Sequence, residues 1–102
     1  MSRPVTQFRK NADRIFSKMV REREDYVCQR CGKQTPTAQC AHIISRRYAR
    51  TRTDFDNAWT LCPACHMVVD QTAHLKMELA EATIGLKRYN ELWRQATDGS
   101  GQ

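Results

Sequence analysis

Cys28 and Cys31 form one C-x-x-C pair, and Cys62 and Cys65 form a second. Two such pairs at this separation have the spacing of a tetrahedral four-thiolate zinc site. Four protein ligands fill the coordination sphere, so this metal would be structural. It would clip the end of one helix to the start of the next. In a small core such a clip can supply much of the folding free energy. Iron in the same ligand set is a lesser alternative, and four buried free thiols are a third. Cys40 is left over and reads as a small buried apolar residue.

His66 directly follows Cys65, and Asp70 lies four residues on, over the same helix face. Such a pair can hold one divalent ion between them or be an ordinary surface pair. His42 sits in the apolar run "AHII", and Arg46, Arg47, Arg50 and Arg52 follow almost at once. An imidazole is neutral near pH 7 and can take a proton. Guanidinium forks suit phosphate oxygens. One or two of these arginines are expected to pair with Asp54, Asp56 or nearby acids instead. His74 reads as a helix-surface residue.

The elements that must position these groups follow from periodicity. Val5, Phe8, Ala12, Ile15, Phe16, Met19 and Val20 recur at helical steps and predict a helix over 5–24 with that face buried. "CQRCGK" is a tight knuckle, with Gly32 permitting the turn. "TAQCAHII" and "AWTL" are short strands, joined by the polar, basic loop "SRRYARTRTDFDN". Pro63 suits the first turn of a helix that runs past His66 to a break near Gln71 and Thr72. "AHLKMELAEA" is helical up to a stop at Gly85. The last helix, "LKRYNELWRQA", puts Leu86, Tyr89, Leu92 and Trp93 on one face.

The chain has 102 residues, 40% of them apolar, which suits one domain with a modest core. Its net charge is +6 and its isoelectric point about 9.4, which favours a polyanionic partner such as nucleic acid. No apolar run is long enough for a membrane helix, and the basic N-terminus lacks a signal-peptide stretch. The expectation is a soluble protein in a reducing intracellular compartment, where paired cysteines favour metal over disulfides.

His42 at the first strand, Asn57 before the second and His66 on the helix, interleaved with the two cysteine pairs, resemble the HNH endonucleases in their zinc-stabilised form. "CQRCGK" and "CAHIISRRYARTRTDFDNAWTLCPACH" carry the likeness. The flanks "RIFSKMVRERED" and "IGLKRYNEL" are similar to small phage-type members. The resemblance implies an α+β, mostly helical fold: a ββα-metal core over 28–74, an N-terminal helix over 5–24, C-terminal helices over 75–96 and a disordered tail over 97–102, all in a single domain, 1–102. It implies metal-dependent cleavage of double-stranded DNA, as nicks or double-strand breaks, leaving 5′-phosphate and 3′-hydroxyl ends. Position by position, His42 matches the general base. Asn57 matches the residue that orients the loop and holds the base through backbone hydrogen bonds. His66 matches a ligand of a catalytic divalent ion, taken as Mg²⁺, Mn²⁺ or Ni²⁺. Asp70 stands where many members have a further histidine, and is the candidate second ligand. Arg46, Arg47, Arg50 and Arg52 would grip the DNA backbone, which predicts weak sequence preference. The phage likeness implies an infected host cell and DNA-packaging proteins as further partners.

One position departs from the pattern. Where many members carry an Asp or His that also binds the metal, this chain has Ala41. Either His66, Asp70 and the DNA phosphate hold the ion alone, or Asp56 or Cys40 replaces the ligand. The remaining alternative is a catalytically inactive zinc-stabilised module that binds DNA or protein.

Overall fold

The computed structural model describes residues 4–98, with side chains from residue 8 onward. The order is α1 (Pro4–Arg23), β1 (Gln39–His42), a 3₁₀ turn (Phe55–Asn57), β2 (Ala58–Leu61), α2 (Pro63–Gln71), α3 (Ala73–Thr83) and α4 (Gly85–Thr97). This is a small, mostly helical α+β fold around one antiparallel hairpin. No described helix is long and apolar enough to cross a membrane.

The hairpin pairs Gln39 with Leu61, Cys40 with Thr60, Ala41 with Trp59 and His42 with Ala58. Strand alternation then divides the molecule in two. Ala41, Trp59 and Leu61 enter the main core with Val69, Leu79, Ala80 and Leu92 from α2, α3 and α4. Cys40 and Ala58 turn to the other side, against Phe16 and Val20 of α1. Both faces of β2 are therefore covered, and all four of its residues are buried. Arg23, at the end of α1, donates to the carbonyls of Phe55 and Ala58 at 2.8 and 3.1 Å and ties the helix to the hairpin.

Each helix boundary has a local cause. Asp25 and Tyr26 adopt left-handed φ angles of 57° and 60°, which end α1 and swing the chain into the knuckle. Gly32, at φ 81°, closes the knuckle with its N–H on the Cys28 carbonyl at 2.9 Å. Cys62 caps α2: its sulfur accepts from the Cys65 N–H at 3.5 Å, and Pro63 fills the first turn. Gly85, at φ 83°, lets the chain leave α3 and opens α4 at once.

The buried faces are narrower than periodicity predicts. On α1 only Phe16 and Val20 of the described apolar residues are buried, whereas Phe8, Ile15 and Met19 are 71%, 52% and 49% exposed and Ala12 is also exposed. Val5 lies outside the described side chains. The reason is the hairpin's width: two four-residue strands can cover only one i, i+4 line of a helix. On α4, Leu86 is exposed, and Ala96 joins Leu92 on the buried line with Tyr89 and Trp93 packed beside it. Helix α4 also runs one residue further than expected, to Thr97; the rest of the expected tail, from residue 99, lies outside the described residues.

Candidate metal and nuclease site

The four sulfurs of Cys28, Cys31, Cys62 and Cys65 all lie within 4.8 Å of one another. Cys31 Sγ and Cys62 Sγ are 3.8 Å apart. A tetrahedron with metal–sulfur bonds of about 2.3 Å has edges of about 3.8 Å, so the donor set fits a zinc ion. Three of these cysteines are buried and Cys31 is exposed. Their thiols separate sharply. Burial opposes ionisation of Cys28, but the backbone N–H groups of Cys31, Cys62 and Arg30 outweigh it and bring its pKa to about 6. Burial pushes Cys65 up to about 12, with the neighbouring sulfurs adding to the effect and the Arg30 guanidinium, 3.4 Å from Cys65 Sγ, opposing it. Four thiolates in so small a volume need a cation to coexist.

His42 ends β1 on the α1 side of the hairpin. Its Nε2 lies 2.9 Å from the carbonyl oxygen of Arg52. A carbonyl can only accept, so Nε2 carries the proton and Nδ1 keeps its lone pair. Burial holds the imidazole pKa below the ordinary histidine value; the Arg52 carbonyl and the Asp13 carboxylate pull it upward, and the charges of Arg46 and Arg52 pull it down. Phe16 stacks on the ring at 5.7 Å between centroids.

Asn57 is fully buried behind the basic loop. Its Oδ1 accepts from the Ile44 N–H at 2.7 Å, and its Nδ2 donates to the carbonyls of Ile44 and Thr51 at 3.1 and 3.0 Å. One side chain thus closes the loop that begins just after His42. Asn57→Ala would leave the buried N–H and carbonyl of Ile44 unpaired, at about 1–3 kcal/mol each before relaxation, while the Thr51 carbonyl keeps the Asp54 N–H at 3.2 Å. We expect a loss of about 3–5 kcal/mol in urea unfolding, with the zinc content retained. A loss under about 1 kcal/mol would show that water replaces the side chain and that the loop does not depend on it.

His66 and Asp70 come together on α2, with Nε2 to Oδ2 at 3.3 Å. Nδ1 of His66 meets Gln39 Oε1 at 2.7 Å. The amide oxygen accepts, so Nδ1 holds a proton, and Nε2 faces Asp70 as a donor in the cationic ring and as a lone pair in the neutral one. A lone pair facing a carboxylate at that distance suits a shared cation. Gln39 was not singled out by the sequence reading. Its signal is the strand period of two, which puts it on the face of Ala41 and α2. Among the described residues the four cysteines are the only group of three or more metal-ligating side chains. His42 does not join His66 and Asp70 in one ligand cluster.

Ala41 is buried in the main core and supplies no ligand. Neither expected substitute stands in for it. The Asp56 carboxylate is taken by Arg88 at 2.8 Å. Cys40 lies on the α1 side of the hairpin, and burial raises its thiol pKa. His74 is exposed on α3.

The four loop arginines divide. Arg46, Arg47 and Arg50 are exposed, and Arg47 lies over the Tyr48 ring at 5.0 Å. Arg52 is half-buried and forks onto Asp13 of α1, with Nε and Nη2 at 2.9 and 2.7 Å from the two carboxylate oxygens. The pairing expected with Asp54 and Asp56 does not occur, because Arg88 of α4 binds both.

A hairpin and helix closed by a four-cysteine knuckle define a zinc-type ββα-metal unit. Residues 28–68 match the family model of the HNH endonuclease, and the four cysteines within that segment stand close together as in a zinc site. No curated protein and no solved structure matches the chain.

Proposed function

We propose that this protein is a metal-dependent DNA endonuclease that hydrolyses phosphodiester bonds with His42 as general base. The observation that carries the reading is the His42 ring, inside the HNH segment, with Nε2 held by a carbonyl and Nδ1 left as a lone pair. A water placed at Nδ1 gives up its proton there as its oxygen attacks phosphorus. The 3′ oxygen leaves and is reprotonated, giving a 3′-hydroxyl and a 5′-phosphate. His66 Nε2 and Asp70 Oδ2 would hold the divalent ion, with DNA phosphate oxygens completing its shell. Such an ion neutralises charge on the leaving oxygen. Asn57 keeps the loop closed behind the base. Arg46, Arg47 and Arg50 serve as phosphate contacts, which give salt-dependent binding with weak sequence preference.

Ala41 favours a second reading, a zinc-stabilised module that binds DNA without cutting it. Supercoiled plasmid incubated with the zinc-loaded protein and Mg²⁺, Mn²⁺ or Ni²⁺ separates the two. The nuclease reading expects nicked or linear product with at least one of these ions, none with chelator, and a steep loss in the His66→Ala variant. Salt-sensitive plasmid binding with intact supercoils under all three ions would establish the binding module instead.

A further inference from the structure

We propose that the N-terminal helix, outside the HNH segment, is part of the functional site, with Asp13 and Phe16 as positioning residues for the His42 ring. This rests on the reading of His42 as the base. Three contacts carry it. Asp13 accepts both arms of the Arg52 guanidinium, at 2.9 and 2.7 Å. The same guanidinium donates through Nη1 to the Arg46 carbonyl at 3.2 Å. The backbone carbonyl of Arg52 takes the Nε2 proton of His42 at 2.9 Å. Asp13 therefore sets where that carbonyl sits, and the carbonyl sets which ring nitrogen is free.

This changes the role of Arg52. Three of its donors are occupied within the chain, so it serves as a bracket across the loop and leaves phosphate contact to its exposed neighbours. The loop is then held at two points. Asn57 binds its inner side at Ile44 and Thr51, and Asp13 binds its outer side through Arg52. The fork is bidentate and partly buried, the geometry in which an ion pair fixes orientation. The Arg52 hydrogen bonds also hold the Asp13 carboxyl below the ordinary carboxylate range, so the bracket stays charged through neutral pH.

Phe16 controls the ring's plane. It is 5% exposed and stacks on His42 at an interplanar angle of 26°. Phe55 backs it at 5.0 Å. One face of the imidazole is thus closed to water, and rotation about the ring bond is resisted. A base must meet its water in a narrow range of position, and small misplacements cost large factors in rate.

The charged groups facing His42 are Asp13 from α1 and Arg46 and Arg52 from the loop. The test uses the full chain, zinc-loaded, and compares Asp13→Asn, Asp13→Glu and Phe16→Leu with the wild type. ¹⁵N NMR of the His42 ring gives its tautomer without DNA or a second metal. Plasmid nicking gives kcat and KM separately. In Asp13→Asn we expect the single Nε2–H tautomer to become a mixture and kcat to fall roughly 10- to 100-fold, with KM within about twofold. Asp13→Glu should recover part of both, and Phe16→Leu should lower kcat while the chain stays folded. A purely structural role for Asp13 would lower the melting temperature and leave the tautomer unchanged; that result, or wild-type kcat in Asp13→Asn, overturns the proposal. If the wild type does not cut plasmid, the nuclease reading fails, and the tautomer still decides whether Asp13 positions the ring.

Discussion

Stripping the metal from the four-cysteine cluster is expected to unfold the core, not merely loosen one end of it. Cys28, Cys62 and Cys65 belong to the main apolar core, at 1%, 5% and 6% exposure, alongside Trp59, Leu61 and Val69. Without a cation those thiols must either stay protonated or crowd negative charge into a buried pocket. Zinc binding in small structural sites is worth about 10–16 kcal/mol, comparable to or above the whole stability of a domain this size, about 5–15 kcal/mol. We expect a strong zinc chelator, or Cys65→Ser, to abolish most of the helical circular dichroism at room temperature. Zinc added back should restore the chelated wild type but not the variant. Cys40→Ser is the control: it lies outside the cluster and should stay folded with stoichiometric zinc. Helical signal unchanged after the zinc is gone would remove the metal from the folding account.

Replacing His42 by alanine should have the largest effect on chemistry. General-base catalysis typically supplies about 10²–10⁴-fold, or about 3–5 kcal/mol of barrier. The cut rate of His42→Ala should fall by that factor while zinc content and DNA affinity persist, because the side chain touches neither the cluster nor the exposed arginines. The pH dependence has a definite sign. Burial lowers the folded-state pKa of His42, so the ring stays neutral to below the ordinary value of about 6.5. Base activity should therefore persist on the acid side of that value and fail only as pH drops through the depressed folded pKa. Between those two pKa values the unfolded chain takes up a proton that the folded chain does not, so stability declines as pH falls through that window. NMR titration of His42 should show the lowered midpoint, and His42→Ala should remove this contribution to the pH dependence of unfolding. A variant that cuts within about threefold of the wild type would remove His42 from the base role.

The structure also revises what its apolar surface means. Seven residues of the first helix follow a helical period, yet among the described side chains the narrow hairpin covers only the line through Phe16 and Val20. Periodicity reports which residues could be buried together; the width of the partner decides how many are. The same holds for the last helix, where Leu86 lies in the first turn and is exposed, while Leu92 and Ala96 are buried.

The sequence by itself determined the elements and the four-cysteine ligand set. Cysteine spacing is local, so each C-x-x-C pair reads directly as one turn of a knuckle. The helix starts and stops at Pro63, Thr72 and Gly85 are equally local, being written in ring constraints, caps and left-handed φ. The order His42, Asn57, His66 is also a linear pattern. Only the tertiary structure decided what each of these residues touches. Asp13 reaches Arg52 across 39 positions, Gln39 reaches His66 across 27, and Arg88 takes Asp54 and Asp56 from the loop across more than 30. No short-range pattern encodes such pairings, because they follow from how the helices settle on the two faces of one hairpin. The physical reason lies in that hairpin. Its alternation sends Ala41 into the main core and its neighbour His42 toward the first helix, so two adjacent residues face opposite sides of the sheet.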